Sequence, residues 1–242
     1  MYSALRIVLC QTTHPGNIGA AARAMKTMGF ARLVLVNPRF FPHEQALAMA
    51  SGADDVLHQA QVCTSLAQAL QGTILAVALT GRRRDLSHAM VPLRAAAQQA
   101  AAELAQGEVA LVFGTEMSGL SNAELDACQL LATISAQPGF ASLNVAAAVQ
   151  VACYELRQVL ESSSQPVAFT RDQPLATHEA LEGFYAHLER VLQGSGFLDP
   201  AQPGRLMIRL RRMFSRARLE REEVSILRGI LKALYPADDG KE

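Results

Sequence analysis

Five short apolar runs recur through the first part of the chain: Leu5–Cys10, Leu33–Val36, Ile74–Leu79, Val109–Phe113 and Leu130–Ile134. Each is nearly continuous in apolar residues instead of alternating apolar with polar, the mark of a strand buried on both faces. Helix-compatible stretches lie between them. Cap and stop residues predict helices at about Ile18–Met28 (Asn17 as cap, Gly29 as stop), Gln45–Ala50, Ser65–Leu70, Val91–Ala105 and Asn122–Cys128 behind Ser121. Val56–Leu57 reads as a further short strand. Strands alternating with helices predict an α/β fold on a parallel sheet covered on both faces. Such sheets bind ligands beyond the carboxyl ends of their strands. The informative segments are therefore Gln11–Asn17, Leu79–Arg84, Gly114–Leu120 and Ser135–Asn144.

The stretch Ile134–Gln150 shows why. It leaves a strand, turns at Pro138-Gly139, reaches Ser142, a helix-capping residue type, and then becomes apolar on every side from Leu143 onward. A helix with no wet face is expected to be buried, yet Asn144 and Gln150 lie on it and need partners. Ser142 and Asn144 either cap and tie local backbone or meet a ligand.

The polar segment from Ser162 to Pro174 reads as a linker, with the boundary near residue 165. Residues 1–165 form one domain. Residues 166–242 form a small all-helical extension, with helices expected at His178–Gln193, Pro203–Arg218 and Glu220–Leu234. Half of the residues are hydrophobic, enough for a sizeable core. With 22 Lys+Arg against 22 Asp+Glu, any nucleic-acid surface has to come from local clustering. Cys10, Cys63, Cys128 and Cys153 form no C-x-x-C pair, and the histidines lack metal-ligand spacing. A disulfide or zinc framework is not expected, nor any metal. No signal peptide or membrane-length apolar run is seen, so a cytoplasmic location is expected.

Several side chains could carry chemistry. Arg23 falls on the second turn of the first helix beside a Gly-containing loop, where it either meets a phosphate or stays solvated. Glu116, between Gly114 and Gly119, either bonds loop amides or holds a basic group or substrate. Arg82, Arg83 and Arg84 make a local positive field at the carboxyl end of a strand, or a solvated turn. Arg205, Arg209, Arg212 and Arg216 recur at i, i+4, i+7, i+11 beside an apolar stripe of Leu206, Leu210, Met213 and Ala217. That basic stripe suits nucleic acid, unless Glu220, Glu222 and Glu223 neutralise it. The chain has neither the G-x-G-x-x-G order of a dinucleotide site nor a P-loop.

Taken together, Asn17-Ile18-Gly19-Ala20-Ala21-Ala22-Arg23-Ala24-Met25-Lys26, Phe113-Gly114-x-Glu116-x-x-Gly119-Leu120 and Ser142-Leu143-Asn144-x-x-x-Ala148-Val149-Gln150 resemble the three ordered motifs of the SPOUT methyltransferases. Within that class the chain is similar to the tRNA ribose 2'-O-methyltransferases over nearly its whole length, including Phe184-Tyr185-x-His187-Leu188-Glu189 and Leu227-Arg228-Gly229-Ile230-Leu231. Two departures from the pattern are visible: Gln11 stands where a glutamate is expected, and Thr115 fills a variable slot.

The resemblance implies a SPOUT fold with a C-terminal trefoil knot, an exception to unknotted connections, and a homodimer whose sites draw on both chains. It implies S-adenosyl-L-methionine as methyl donor, leaving as S-adenosyl-L-homocysteine, held by Leu79, Thr80, Gly81, Gly114, Ile134, Ser142 and Leu143. The implied target is a ribose 2'-hydroxyl of cytidine or uridine in the tRNA anticodon loop, at nucleotide 32. The catalytic set carried over is Arg23, Asn17, Glu116, Ser142 and Asn144, with Arg23 as base or alkoxide stabiliser and the two asparagines orienting it and the ribose. Arg82, Arg83, Arg84, Arg205, Arg209, Arg212 and Arg216 are expected to contact tRNA. The alternative is a non-catalytic RNA-binding protein of the same fold.

Overall fold

A computed structural model of the chain describes residues 3–81, 90–138, 140, 142–162 and 174–235. The chain divides into two compact units, Met1–Phe169 and Thr170–Glu242. The expected boundary at residue 165 falls in 163–173, outside the described residues.

The first unit is a seven-stranded parallel sheet in the order β3-β2-β1-β6-β4-β7-β5. Its strands are β1 Leu5–Cys10, β2 Arg32–Val36, β3 Gln61–Cys63, β4 Thr73–Leu79, β5 Met90–Pro92, β6 Glu108–Phe113 and β7 Leu130–Thr133. The helices are α1 Pro15–Thr27, α2 Glu44–Ala50, α3 Asp54–His58, α4 Leu66–Ala69, α5 Leu93–Glu103, α6 Asn122–Asp126 and α7 Val145–Ser162. Side chains alternate across the pleat. Leu5, Ile7 and Leu9 of β1 enter one core with α1, α2, α3, α5 and α7, whereas Val8 and Cys10 enter another with α4 and α6. Both faces are thus covered, which is why the strands read as unbroken apolar runs.

Four expectations need correction. Val56–Leu57 is not a strand; both residues lie in α3, and the edge strand is Gln61–Cys63. Met90–Pro92 is the other edge strand, so α5 starts later than expected, at Leu93. Short edge strands carry too few residues for a periodic signal. Helix α1 begins at Pro15, suited to a first helical position by its fixed φ and missing N–H. Helix α7 is not buried all round: Val145, Val149, Ala152, Cys153 and Leu156 face the core, but Ala147 and Tyr154 are exposed.

Helices α1 and α2 pack closely because Gly19 has no side chain. A Cβ there would overlap the carbonyl oxygen of Ala46 and lie 2.9 Å from its carbon. At the opposite end of the sheet, Glu108 accepts from both Arg6 and Arg32, fastening the starts of β6, β1 and β2.

The second unit holds α8 His178–Gly194, α9 Leu206–Ala217 and α10 Arg221–Leu234. Its core centres on Phe184 and Phe214, edge to face with centroids 4.9 Å apart. The apolar stripe expected on α9 is only partly the inner one. Met213 and Ala217 are exposed, while Phe214 points inward. Among the described residues no helix is long and apolar enough to cross a membrane.

Gly19→Ala should cost about 1–3 kcal/mol, because the obstacle is backbone that cannot rotate away. A lowered urea midpoint with unchanged slope checks it; an unchanged midpoint would show that α2 moves aside freely.

Candidate active site

Strand β1 lies between β2 and β6, so the chain leaves β1 towards one side and returns beside it from the other. Loops diverge at such a switch point and open a crevice. The loop after β1 and the loop after β6 meet there through Glu116. Its carboxylate accepts from the Thr13 amide (3.1 Å to Oε2), the Thr13 hydroxyl (3.0 Å), the His14 amide (3.2 Å) and the Asn17 side-chain amide (2.9 Å). Asn17 in turn accepts, through Oδ1, from Nδ2 of Asn144 at 2.9 Å. Asn144 Oδ1 accepts from the amides of Ala146 (2.9 Å) and Ala147 (3.3 Å). One hydrogen-bonded chain therefore joins all three motifs.

This arrangement settles two local questions. Asn144, not Ser142, caps α7, because its oxygen receives the otherwise unpaired first amides of that helix. Asn17 does not cap α1; it is the third residue of that helix, and the preceding His14 makes no side-chain cap bond. Glu116 stands at that helix end instead, as an anion near the positive end of the dipole.

Partial burial pushes the Glu116 carboxyl up. The bonds from Asn17 and from the amides of Glu116, Thr13 and His14 outweigh it, taking the pKa from 4.5 down to about 2. Glu116 is therefore ionised at neutral pH. Gln11, the one departure at the first motif, turns the chain off β1 with a left-handed φ of 51°, its amide donating to Val36. The loop beyond it is held by Glu116.

Beyond the carboxyl ends of β4, β6 and β7 lies a cleft of about 340 Å³. Leu79, Thr80, Gly81, Gly114, Ile134, Ser142 and Leu143, the residues the resemblance assigns to the cofactor, all line it, with Glu116 at its wall. Phe113, Gly119 and Ala148, already named in the motifs, also line it, as do Thr115, Met117, Ser118 and Val145, which the sequence did not assign to the cofactor. Thr13 and His14, which hold Glu116, were missed as well; their place in the loop after β1 was the available signal. Gly114 packs against the backbone of Gly119 and Leu120, where any Cβ would overlap main-chain atoms. Thr115 and Gly119 exchange backbone hydrogen bonds at 3.2 and 3.0 Å, closing this loop tightly.

Arg23 stands apart. It is exposed on α1, does not line the cleft and has no part in the Glu116–Asn17–Asn144 chain, so neither asparagine orients it within one protomer. Arg82, Arg83 and Arg84 lie outside the described residues. In the second unit Arg205, Arg209 and Arg216 are exposed and Arg212 is half-buried. Glu220 and Glu223 form a capping box on α10 rather than pairing with that stripe. Arg211 is the structural arginine of α9, bonded to both oxygens of Glu182 (2.6 and 2.8 Å) and lying over the Tyr185 ring.

The cleft is of a size suited to a small organic ligand. It offers apolar walls (Leu79, Ile134, Leu143, Val145, Ala148) beside loop backbone and hydroxyls. Among the described residues no cationic side chain lines it, and this donor set fits an adenosine with a short zwitterionic tail. Among the described residues no His, Cys, Asp or Glu cluster could hold a metal ion.

A parallel sheet with its ligand cleft at the strand ends, walled by three motifs cross-bonded through Glu116, defines the class: the chain belongs to the SpoU rRNA methylase family, whose model matches residues 4–154. Residues 179–242 match the C-terminal domain of the tRNA methyltransferase TrmJ. The tRNA (cytidine/uridine-2'-O-)-methyltransferase TrmJ of Klebsiella pneumoniae is 44% identical over 244 residues, covering 100% of both chains. The tRNA (cytidine/uridine/adenosine-2'-O-)-methyltransferase TrmJ of Pseudomonas aeruginosa is 46% identical, over 96% of this chain and 93% of that one. The crystal structure of TrmJ from Z. mobilis ZM4 superposes with a TM-score of 0.81 at 32% identity, covering 95% of this chain and 98% of that chain. The expected fold class, a SPOUT-type parallel sheet with a helical extension, is the observed one.

Because the folded pKa of Glu116 is depressed, its stabilising contribution is complete above pH 4.5 and is lost as pH falls towards about 2. Glu116→Gln should therefore be less stable than the wild type at neutral pH, with the gap closing through that window. Urea midpoints at several pH values measure this. A gap that stays constant would mean that the charge contributes nothing.

Proposed function

We propose that this chain transfers a methyl group from S-adenosyl-L-methionine to a ribose 2'-hydroxyl of cytidine or uridine in the tRNA anticodon loop. One observation carries the proposal: three separated motifs are bonded together at the wall of a cleft whose lining suits an adenosine-containing ligand. When bound, that ligand supplies an electrophilic sulfonium methyl. Leu79, Thr80, Gly81, Gly114, Ile134, Ser142 and Leu143 hold it, with loop backbone as the polar partner. Glu116, Asn17 and Asn144 act as positioning groups that keep the walls in register.

Arg23 is the group proposed to act on the ribose oxygen. A guanidinium presents N–H donors and no acceptor atom, and Arg23 is exposed on α1. Stabilising the developing alkoxide is therefore favoured over acting as a base. Since Arg23 lies outside the cleft of its own chain, we assign it to the site of a partner copy in a homodimer. The uncovered side of α7, with Ala147 and Tyr154, and the exposed Met117 and Leu143 at the cleft support such a partner. A trefoil knot is part of the same reading: β7 lies between β4 and β5, although the chain forms those two strands first. We assign residues 1–165 to methyl transfer and 166–242 to tRNA binding, in the cytoplasm.

Incubating the purified protein with tRNA and methyl-labelled donor tests the proposal, with the labelled ribose located by nucleoside mass spectrometry. Unlabelled tRNA alongside intact donor binding and tRNA binding would leave the non-catalytic alternative. Arg23→Ala should lower turnover about 100- to 1000-fold, as for loss of an oxyanion donor, with donor affinity unchanged by calorimetry. Near-normal turnover removes Arg23 from the mechanism.

Replacing Arg209 and Arg216 by Gln should weaken tRNA binding and flatten the slope of log K against log salt by about 0.7–0.9 per lost contact. An unchanged slope would take the stripe out of the tRNA interface.

A further inference from the structure

The loop after β2 has no part in the cleft, yet it carries an exposed aromatic group beside an arginine. Phe40 is 49% exposed. The Arg39 guanidinium sits over its ring, 5.2 Å from the centroid. The His43 ring lies 6.4 Å away by centroids, inclined at 59°. Arg39 and His43 are themselves exposed, and Glu44 is the only acid between residues 37 and 45. An apolar ring bearing a guanidinium, left in water beside a second ring, has no role in either core of the sheet.

The loop is tied to the active site at two points. The Arg39 amide donates to the carbonyl of Thr12 (3.0 Å), next to the Thr13 that donates to Glu116. His43 caps α2, its Nδ1 accepting from the Gln45 amide at 3.1 Å, which fixes its ring. Helix α2 in turn packs on α1, the helix that carries Asn17 and Arg23, through the close approach at Gly19. At the end of β2, Asn37 takes a left-handed φ of 45° and bonds the carbonyl of Thr64, anchoring the base of the loop. Because β2 adjoins β1 in a parallel sheet, the loop emerges on the same side as the catalytic loops.

We propose that Phe40, with Arg39 and His43, is a stacking platform for an unpaired nucleobase of the RNA substrate, flanking the nucleotide being methylated. The proposal rests on the RNA-methylation reading above and deepens it. A ribose hydroxyl is reached most easily where bases are unstacked, and an unstacked base needs a new π surface. Aromatic rings and arginine planes supply that surface without selecting a sequence, and the cationic charge suits the adjoining phosphates. Phe40 is thus a positioning residue for the reaction: it holds the strand and does not touch the reacting atoms.

The test compares Phe40→Leu, which keeps apolar bulk but removes the π face, with Phe40→Tyr, which keeps that face. Steady-state methylation of tRNA should show KM raised about tenfold for Phe40→Leu, the size of one lost stack, with kcat, donor affinity and melting temperature near wild type. Phe40→Tyr should restore KM. Arg39→Gln should raise KM in the same direction. Wild-type kinetics for Phe40→Leu, or equal losses in both Phe40 variants together with lowered melting, would overturn the platform. So would a shift of Phe40→Leu to a smaller species in sedimentation, which would make the loop a contact between copies. A wild-type protein that leaves tRNA unmethylated would instead overturn the reading on which the platform rests.

Discussion

The carboxylate of Glu116 holds the site together. It arises in the loop after β6 and is gripped by amides and a hydroxyl from the loop after β1 and by Asn17 of α1. Through Asn17 the grip reaches Asn144, whose other face starts α7. Charge-assisted bonds of this kind are about twice as strong as neutral ones. The carboxyl is correspondingly hard to protonate. Three pieces of chain remote in sequence are thus set against one another by a single anion, and the cleft forms where they meet.

That contact depends on the sheet. Strand β6 pairs with β1 on one side and β4 on the other, and β7 pairs with β4. The loops that line the cleft therefore leave from neighbouring strands. The packing beneath is dense: Gly19 lets α2 rest on α1, and Gly114 lets its own loop fold back. Rigid backbone at these positions serves a reaction in which alignment contributes much of the rate.

The second unit separates structural arginine from available arginine. Arg211 is committed to Glu182 and Tyr185, where a fork-shaped guanidinium can bond and stack at once. Arg205, Arg209 and Arg216 remain exposed, and Glu220 and Glu223 are engaged in capping α10. A chain with no net charge can in this way still present a cationic surface.

The sequence by itself determined the α/β class, the core strands and most of the helices, because unbroken apolar runs and cap residues report local burial and local hydrogen bonding; the three motifs were legible through the family resemblance. The sequence left Glu116 open between accepting loop amides and holding a basic group or substrate. Tertiary structure decided the rest. The edge strands β3 and β5 exist because β2 and β7 offer them partners, which three residues cannot announce. The choice of Asn144 over Ser142 as the cap of α7 followed from where Asn17 stands, 127 residues away in sequence. The exclusion of Arg23 from the cleft of its own chain depends on the direction in which α1 leaves β1. Pairings between distant segments depend on the order of strands in the sheet, and no local pattern of residues encodes that order.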